Sequence, residues 1–224
     1  MTFLPTSRTE VRRLPQRGVY DRHEIDAILA EAFVCHVGFT SGDGKPIVIP
    51  TSFGRIGDTL YLHGSPASRM LRTLKDGVDV CVTVTLVDGL VLARSAFHHS
   101  INYRSVVVFG RAHEVTDPDE KTRALDAFVD HILPGRAAEA RPGSAKEVRA
   151  TLVLALPLDE ASAKVRRGMP IDDEEDLALP VWAGVLPLTT TAAAPQADEY
   201  VPADLAVPGY ISEYQRPEAR GARR

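Results

Sequence analysis

What most limits the fold of this chain is a succession of short strand-like runs joined by tight turns. Residues 34–39 lead into the turn Ser41-Gly42-Asp43-Gly44, residues 46–53 follow, and Gly57-Asp58 turns the chain into 59–63. Glycine and aspartate at these points suit hairpin turns. Residues 78–86 alternate cleanly, with Val80, Val82, Val84 and Leu86 on one face and Asp79, Cys81, Thr83 and Thr85 on the other. Asp88-Gly89 is expected to turn the chain into 90–96. A long strand is expected over 104–115 with Gly110 as a bulge, and 151–156 completes the set. Tight connections imply antiparallel pairing. The expected fold is therefore mainly β, a small closed or split barrel of antiparallel strands with short flanking helices, and a parallel dinucleotide-binding sheet is not supported.

Three amphipathic helices are expected between the strands. Asp21 with Glu24 has the form of a capping box before Ile25, Ile28, Leu29 and Ala32. Asp117 caps a helix with Pro118 at its first position and Leu125, Phe128, Val129 and Ile132 along one side. Ser65 is expected to cap the remaining one, with Pro66 first and Ala67, Met70, Leu71 and Leu74 buried. Residues 1–16 form an unpatterned N-terminal arm and 17–188 the domain. Residues 189–224, rich in Pro, Ala and charge, form an extended or disordered tail.

Composition removes several function classes. Across 224 residues the net charge is −4, so the basic footprint of a nucleic-acid binder is missing. No apolar run approaches the roughly 20 residues of a membrane span. The N-terminus lacks the apolar core of a secretory signal, so a cytoplasmic protein without a membrane partner is expected. The only cysteines, Cys35 and Cys81, lie in apolar runs and read as buried thiols. Residues 38–45 depart from a phosphate-binding loop because Pro46 stands where Ser or Thr would be needed. His23-Glu24 lacks a second histidine at Ala27, and the acidic run 171–176 lacks calcium-loop spacing, so no metal is expected. That run reads as a solvated turn in which Asp172 or Asp176 orients a basic neighbour.

Two clusters carry chemistry. In the first, a strand ends at His63-Gly64, and the hydroxyls of Ser65 and Ser68, the Arg69 guanidinium and the expected helix start together suit a monophosphate. The plain alternative is a capped helix with an exposed arginine. In the second, residues 94–105 crowd Arg94, His98, His99, Asn102, Tyr103, Arg104 and Ser105 between apolar strands, which suits a polar ligand; the alternative is a solvated loop.

The segments Ile49-Pro50-Thr51, His63 to Arg69, His99 to Ser105 and Pro180-Val181-Trp182-Ala183-Gly184-Val185, in this order and spacing, resemble the pyridoxamine 5′-phosphate oxidase-like FMN-binding split-barrel proteins, near their nitroimidazole-resistance branch. The resemblance runs from about residue 17 to 187. It implies a homodimer of six-stranded antiparallel split barrels holding FMN at the subunit interface. Val48, Ile49, Pro50 and Thr51 would lie along the ring system, with His63 and Gly64 lining the same site. Ser65, Ser68 and Arg69 would hold the phosphate. Tyr103, Arg104 and Ser105 would approach from one of the two chains, and Lys164, Arg166 and Trp182 would cover the flavin or the dimer seam. The implied activity is reduction of a small planar or nitro-aromatic substrate by an FMN-dependent oxidoreductase exchanging electrons with a small-molecule donor or acceptor. His63 and His99 are the candidate proton donors, with a structural hydrogen bond from either to the cofactor as the favoured alternative. Related barrels hold haem or a deazaflavin, for which His98 and His99 offer ligands, and a flavin-binding sensor without turnover is a further alternative. The substrate-phosphate residues of vitamin B6 oxidation are not recognisable in the chain.

Overall fold

The computed structural model describes residues 2–216; the end of the expected tail, 217–224, lies outside the described residues. In chain order the elements are β1 (Gly18–Val19), α1 (Arg22–Glu31), β2 (Cys35–Thr40), β3 (Pro46–Thr51), β4 (Gly54–Ile56), β5 (Thr59–Gly64), α2 (Arg69–Lys75), β6 (Asp79–Leu92), β7 (Ser100–Arg111), β8 (His113–Glu114), α3 (Pro118–Ile132), α4 (Arg136–Glu139), α5 (Ala145–Ala150), β9 (Leu152–Pro157), β10 (Glu160–Arg166), β11 (Gly184–Pro187) and α6 (Gly209–Ser212). One sheet has the order β1-β10-β7-β6-β2-β3, with β11 added to the far half of β6; the other has the order β4-β5-β9-β8. Every pairing is antiparallel. Chain continuity from β3 to β4 and from β9 to β10 joins the two sheets into the expected split barrel.

The interior follows from strand alternation. Val37, Val80, Val82, Val84, Val106 and Val108 of the first sheet meet Leu60, Leu62, Leu154 and Leu156 of the second, and Ile25, Ile28 and Leu29 of α1 join the same core. Cys35 is part of that core, and burial pushes its thiol up to about 12, which makes it inert at neutral pH. Outside the second sheet, α3 packs over Tyr61, Val153 and Ala155.

Several expectations need correction. Asp88-Gly89 is no turn: β6 runs through it as one strand with a register shift between Val87 and Gly89, because both of its halves pair with β7. The reversal lies farther on, at Ala96–His98, so Ser100 to Tyr103 are strand rather than connection. Gly110 is no bulge, since β7 pairs regularly through it. A Cβ there would meet Leu156 Cδ1 at 2.9 Å, so the glycine lets the second sheet approach. Beyond Arg111 the expected long strand divides, with β8 joining the other sheet. The short strands β1, β4, β8 and β11, and the whole of β10, had no separate sequence signal. α2 begins three residues later than expected: Ser68 is its cap, accepting from the Leu71 amide, while Ser65 accepts from the Ala67 amide in the preceding turn.

The caps of α1 and α3 are those read from the sequence, with Asp21 accepting from the Glu24 amide and Asp117 from the Glu120 amide. The reciprocal half at Glu24 is replaced by an ion pair with Arg167, and a full capping box occurs instead at Ser144 and Glu147 of α5. The N-terminal arm is anchored: Thr6 and Arg8 both bond Glu160, and Arg8 stacks over Phe109. The tail from 189 to 208 is extended and exposed, then returns to the barrel through α6.

Candidate functional site

Register decides which of the expected site residues meet. Directly opposed residues share a face of a sheet. Arg166 lies opposite Tyr103, which lies opposite Val87; Lys164 lies opposite Ser105, which lies opposite Thr85. Farther across, Thr83 opposes His36, which opposes Pro50, and Cys81 opposes Gly38, which opposes Val48. Val48, Pro50, Tyr103, Ser105, Lys164 and Arg166 therefore share the outer face of the larger sheet. Ile49, Thr51 and Arg104 belong to the opposite, barrel-facing rows.

The outer face divides into two parts. Among the described residues β3 is an edge strand paired only with β2, its outward backbone groups available and Val48 65% exposed. β10 is four strand spacings away, roughly 19 Å at ~4.8 Å each. One fused ring cannot reach both within a single chain.

At the β10 end, Arg166 is only 7% exposed. Its Nη1 donates to Asn102 Oδ1 at 2.5 Å and to the Gly168 carbonyl at 3.4 Å, and its Nη2 to the Met169 carbonyl at 3.5 Å. All three acceptors are neutral. Burial first, and then the charge of Arg17, hold its pKa below the ordinary arginine value, with Tyr103 acting in the opposite sense. A buried cation with neutral acceptors and a second cation nearby suits a phosphate or another anion.

Arg104 has the opposite surroundings. It is 3% exposed, and its Nε and Nη2 donate to Asp88 at 2.9 and 2.7 Å while Nη1 and Nη2 donate to Glu31 at 2.5 and 2.9 Å. Burial works against its charge, but the hydrogen bonds and charges of the two carboxylates outweigh it and raise its pKa. The expected flavin role for Arg104 thus meets a guanidinium already held by two acids on the inner face. Glu31 carried no motif, and Asp88 was marked only as part of an expected turn.

Around the end of β5, Ser65 and Ser68 accept backbone amides with their hydroxyl oxygens, leaving each O–H to donate. Arg69 is exposed and forms no ion pair among the described residues. His63 packs its ring edge-on against Phe128, centroids 4.1 Å apart, with no hydrogen-bond partner among the described residues. Burial lowers its pKa, so the imidazole is neutral at neutral pH with a lone pair available.

The hairpin tip between β6 and β7 is clasped by the segment after β10. Asp172, its side chain 1% exposed, accepts from the Arg94 amide at 2.8 Å and from Arg94 Nη1 at 3.0 Å, and so orients a basic neighbour as the sequence suggested. Burial raises its pKa, yet these bonds prevail and hold the carboxyl below the usual range. His98 Nε2 lies 3.1 Å from Asp173 Oδ2. His99 Nδ1 lies 3.0 Å from the Ser95 carbonyl, which can only accept, so Nδ1 carries a proton and Nε2 is the nitrogen without a partner among the described residues. Trp182 is 67% exposed and lies against Gly184, where a Cβ would meet its ring at 2.9 Å. No cluster of three or more metal-ligating side chains occurs among the described residues. No helix among them is long and apolar enough to cross a membrane.

The family model described as pyridoxamine 5′-phosphate oxidase matches residues 21–165. This chain belongs to that family. Among solved structures, the flavocytochrome Anf3 from Azotobacter vinelandii is 43% identical with a TM-score of 0.87, covering 95% of this chain and 99% of its own. The FAD and heme binding protein from Mycobacterium smegmatis is 40% identical with a TM-score of 0.84, covering 88% and 96%. A putative 5-nitroimidazole antibiotic resistance protein from Bacteroides thetaiotaomicron is 31% identical with a TM-score of 0.57, covering 66% and 86%. No curated protein matches the chain. In this member of the pyridoxamine 5′-phosphate oxidase family the family match ends before β11, and similarity over 95% of the chain necessarily extends into the returning tail.

Proposed function

We propose that this protein is a flavin-binding oxidoreductase that also holds haem, with the flavin in a site completed by a second copy of the chain. The observation that carries the reading is similarity over 95% of the chain to a flavocytochrome, against 66% for the nitroimidazole-type relative. The FAD named for a second relative favours FAD over the FMN implied by the sequence resemblance. The residues fit such a ligand. The buried Arg166, whose partners among the described residues are all neutral, suits a phosphate; Ser65, Ser68 and Arg69 offer further donors, and the β3 edge offers backbone groups for a ring's polar rim. The four-strand separation of β3 and β10 supports a homodimer in which one chain brings its β10 end to the other's β3 edge.

When bound, flavin exchanges two electrons or one and haem exchanges one, which suits passage of electrons to a small planar acceptor, nitro-aromatics included. The chain's own part is to bind, orient and hold protons. His63 and the Nε2 of His99 are the imidazole nitrogens placed to meet an iron or a substrate proton, whereas His98 is engaged with Asp173. The test is the visible spectrum of the purified protein. A flavin double band with a Soret band supports the reading, and loss of the Soret band in either His63→Ala or His99→Ala identifies the ligand. A colourless protein that takes up neither cofactor overturns it.

A further inference from the structure

Beneath the returning tail lies a cavity of about 780 Å³, at the register shift of β6 against β7. Its floor is Asp88 and Arg104, its apolar walls are Leu86, Val87 and Leu188, and its roof is Thr190 with Tyr214 and Arg216. The roof is fastened at both ends. Leu188 donates its amide to the Asp88 carbonyl at 3.0 Å, and Arg216 Nε donates to the Glu31 carbonyl at 2.8 Å while its guanidinium lies 4.5 Å from the Phe33 ring centre.

We propose that this cavity receives the adenosine diphosphate half of FAD and makes the chain selective for FAD over FMN. The inference rests on the flavin reading above and deepens it. Three observations support it. The chemistry suits a ribonucleotide: aliphatic walls for a flat base, the hydroxyl of Thr190, and the Asp88 carboxylate, whose oxygens are fixed by Arg104 and keep lone pairs for ribose hydroxyls. Among the described residues Arg216 hydrogen-bonds only through Nε, to the carbonyl of Glu31, which leaves guanidinium N–H groups for a diphosphate. The Tyr214 hydroxyl is buried without a hydrogen-bond partner among the described residues, an arrangement that costs stability unless a ligand supplies the missing bond. The position also suits a dinucleotide: Val87 lines the cavity and lies opposite Tyr103, so the cavity adjoins the end of the outer face assigned to the flavin.

The experiment is calorimetric titration of the full-length protein, freed of cofactor, with FAD, FMN and ADP. FAD is expected to bind at least tenfold more tightly than FMN, and ADP is expected to bind and to compete with FAD. Thr190→Trp, which fills the cavity, is expected to lower FAD affinity at least tenfold more than FMN affinity. Tyr214→Phe, which keeps the ring, is expected to lower FAD affinity selectively as well. Equal affinity for the two flavins without ADP binding overturns the inference and leaves the flavin reading standing. ADP binding without uptake of either flavin supports an adenylate cavity and overturns the flavin reading. Equal loss of both flavins in the two variants also overturns the inference.

Discussion

Arg166 and Arg104 come from neighbouring strands and have opposite electrostatic surroundings. Arg104 is neutralised by Glu31 and Asp88, so removing it would leave two acids facing each other in a mostly buried place. Arg104→Ala is expected to cost about 3–5 kcal/mol of stability, read from urea unfolding; a loss under ~1 kcal/mol would mean the triad is well solvated. Among the described residues Arg166 has no such compensation. Arg166→Met is therefore expected to leave the cofactor-free melting temperature unchanged or higher, while flavin affinity falls about 10- to 100-fold, the worth of a charge-assisted hydrogen bond of ~1.5–3 kcal/mol. Two histidines set the acid limb. Burial lowers the pKa of both His63 and His131, the latter despite its bond to the Ala32 carbonyl at 2.7 Å. The unfolded chain then binds more protons than the folded one just below the ordinary histidine value of about 6.5. Their contribution is complete above that pH and is lost as pH falls through the window between 6.5 and the lowered folded values. Denaturation midpoints measured from pH 7.5 down to 5 should fall, and His131→Gln should reduce the slope.

At the scale of elements, the docking of α3 onto the smaller sheet depends on a missing side chain. A Cβ at Gly54 would come within 2.9 Å of the Phe128 backbone nitrogen and 3.3 Å of the Ala124 carbonyl. Both are backbone atoms, which cannot turn aside as a side chain would. Gly54→Ala is expected to push α3 off β4 and cost about 1–3 kcal/mol, with faster amide exchange confined at first to α3. Unchanged stability would mean the helix slides freely on the sheet. The shift in α2 has a simple cause. Ser65 and Ser68 are both competent caps, and the Ser68 amide bonds the Ser65 carbonyl, which turns the chain once before the helix begins.

At the scale of the whole molecule, the β-sheet face bearing Val48, Thr85, Tyr103 and Lys164 is left uncovered along much of its width. The segment between β10 and β11 adds exposed Ile171, Leu177, Val181 and Trp182. An apolar surface of this kind on a lone chain suits an interface. Flavin and dimer should therefore be lost together. In a dilution series followed by sedimentation and flavin fluorescence, release of flavin is expected to track dissociation, and a monomer retaining its flavin would remove the shared-site proposal.

Alternation, turn residues and caps are local, so the mainly β class, the two acid-capped helices and the valine core were legible in the sequence alone. The polar crowding of residues 94–105 between apolar strands was legible too, because such residues stand out there. Tertiary structure decided the rest. Whether Asp88-Gly89 turns the chain or merely bulges it depends on both halves of β6 finding the same partner strand, a long-range condition no short window contains. Whether Arg104 faces a ligand or two acids depends on strand parity and on α1, which supplies Glu31 from far away in sequence. The returning tail shows neither period, since it is held by a few contacts such as Arg216 on Phe33 rather than by an amphipathic stripe, and only the folded barrel gives it a surface to close over.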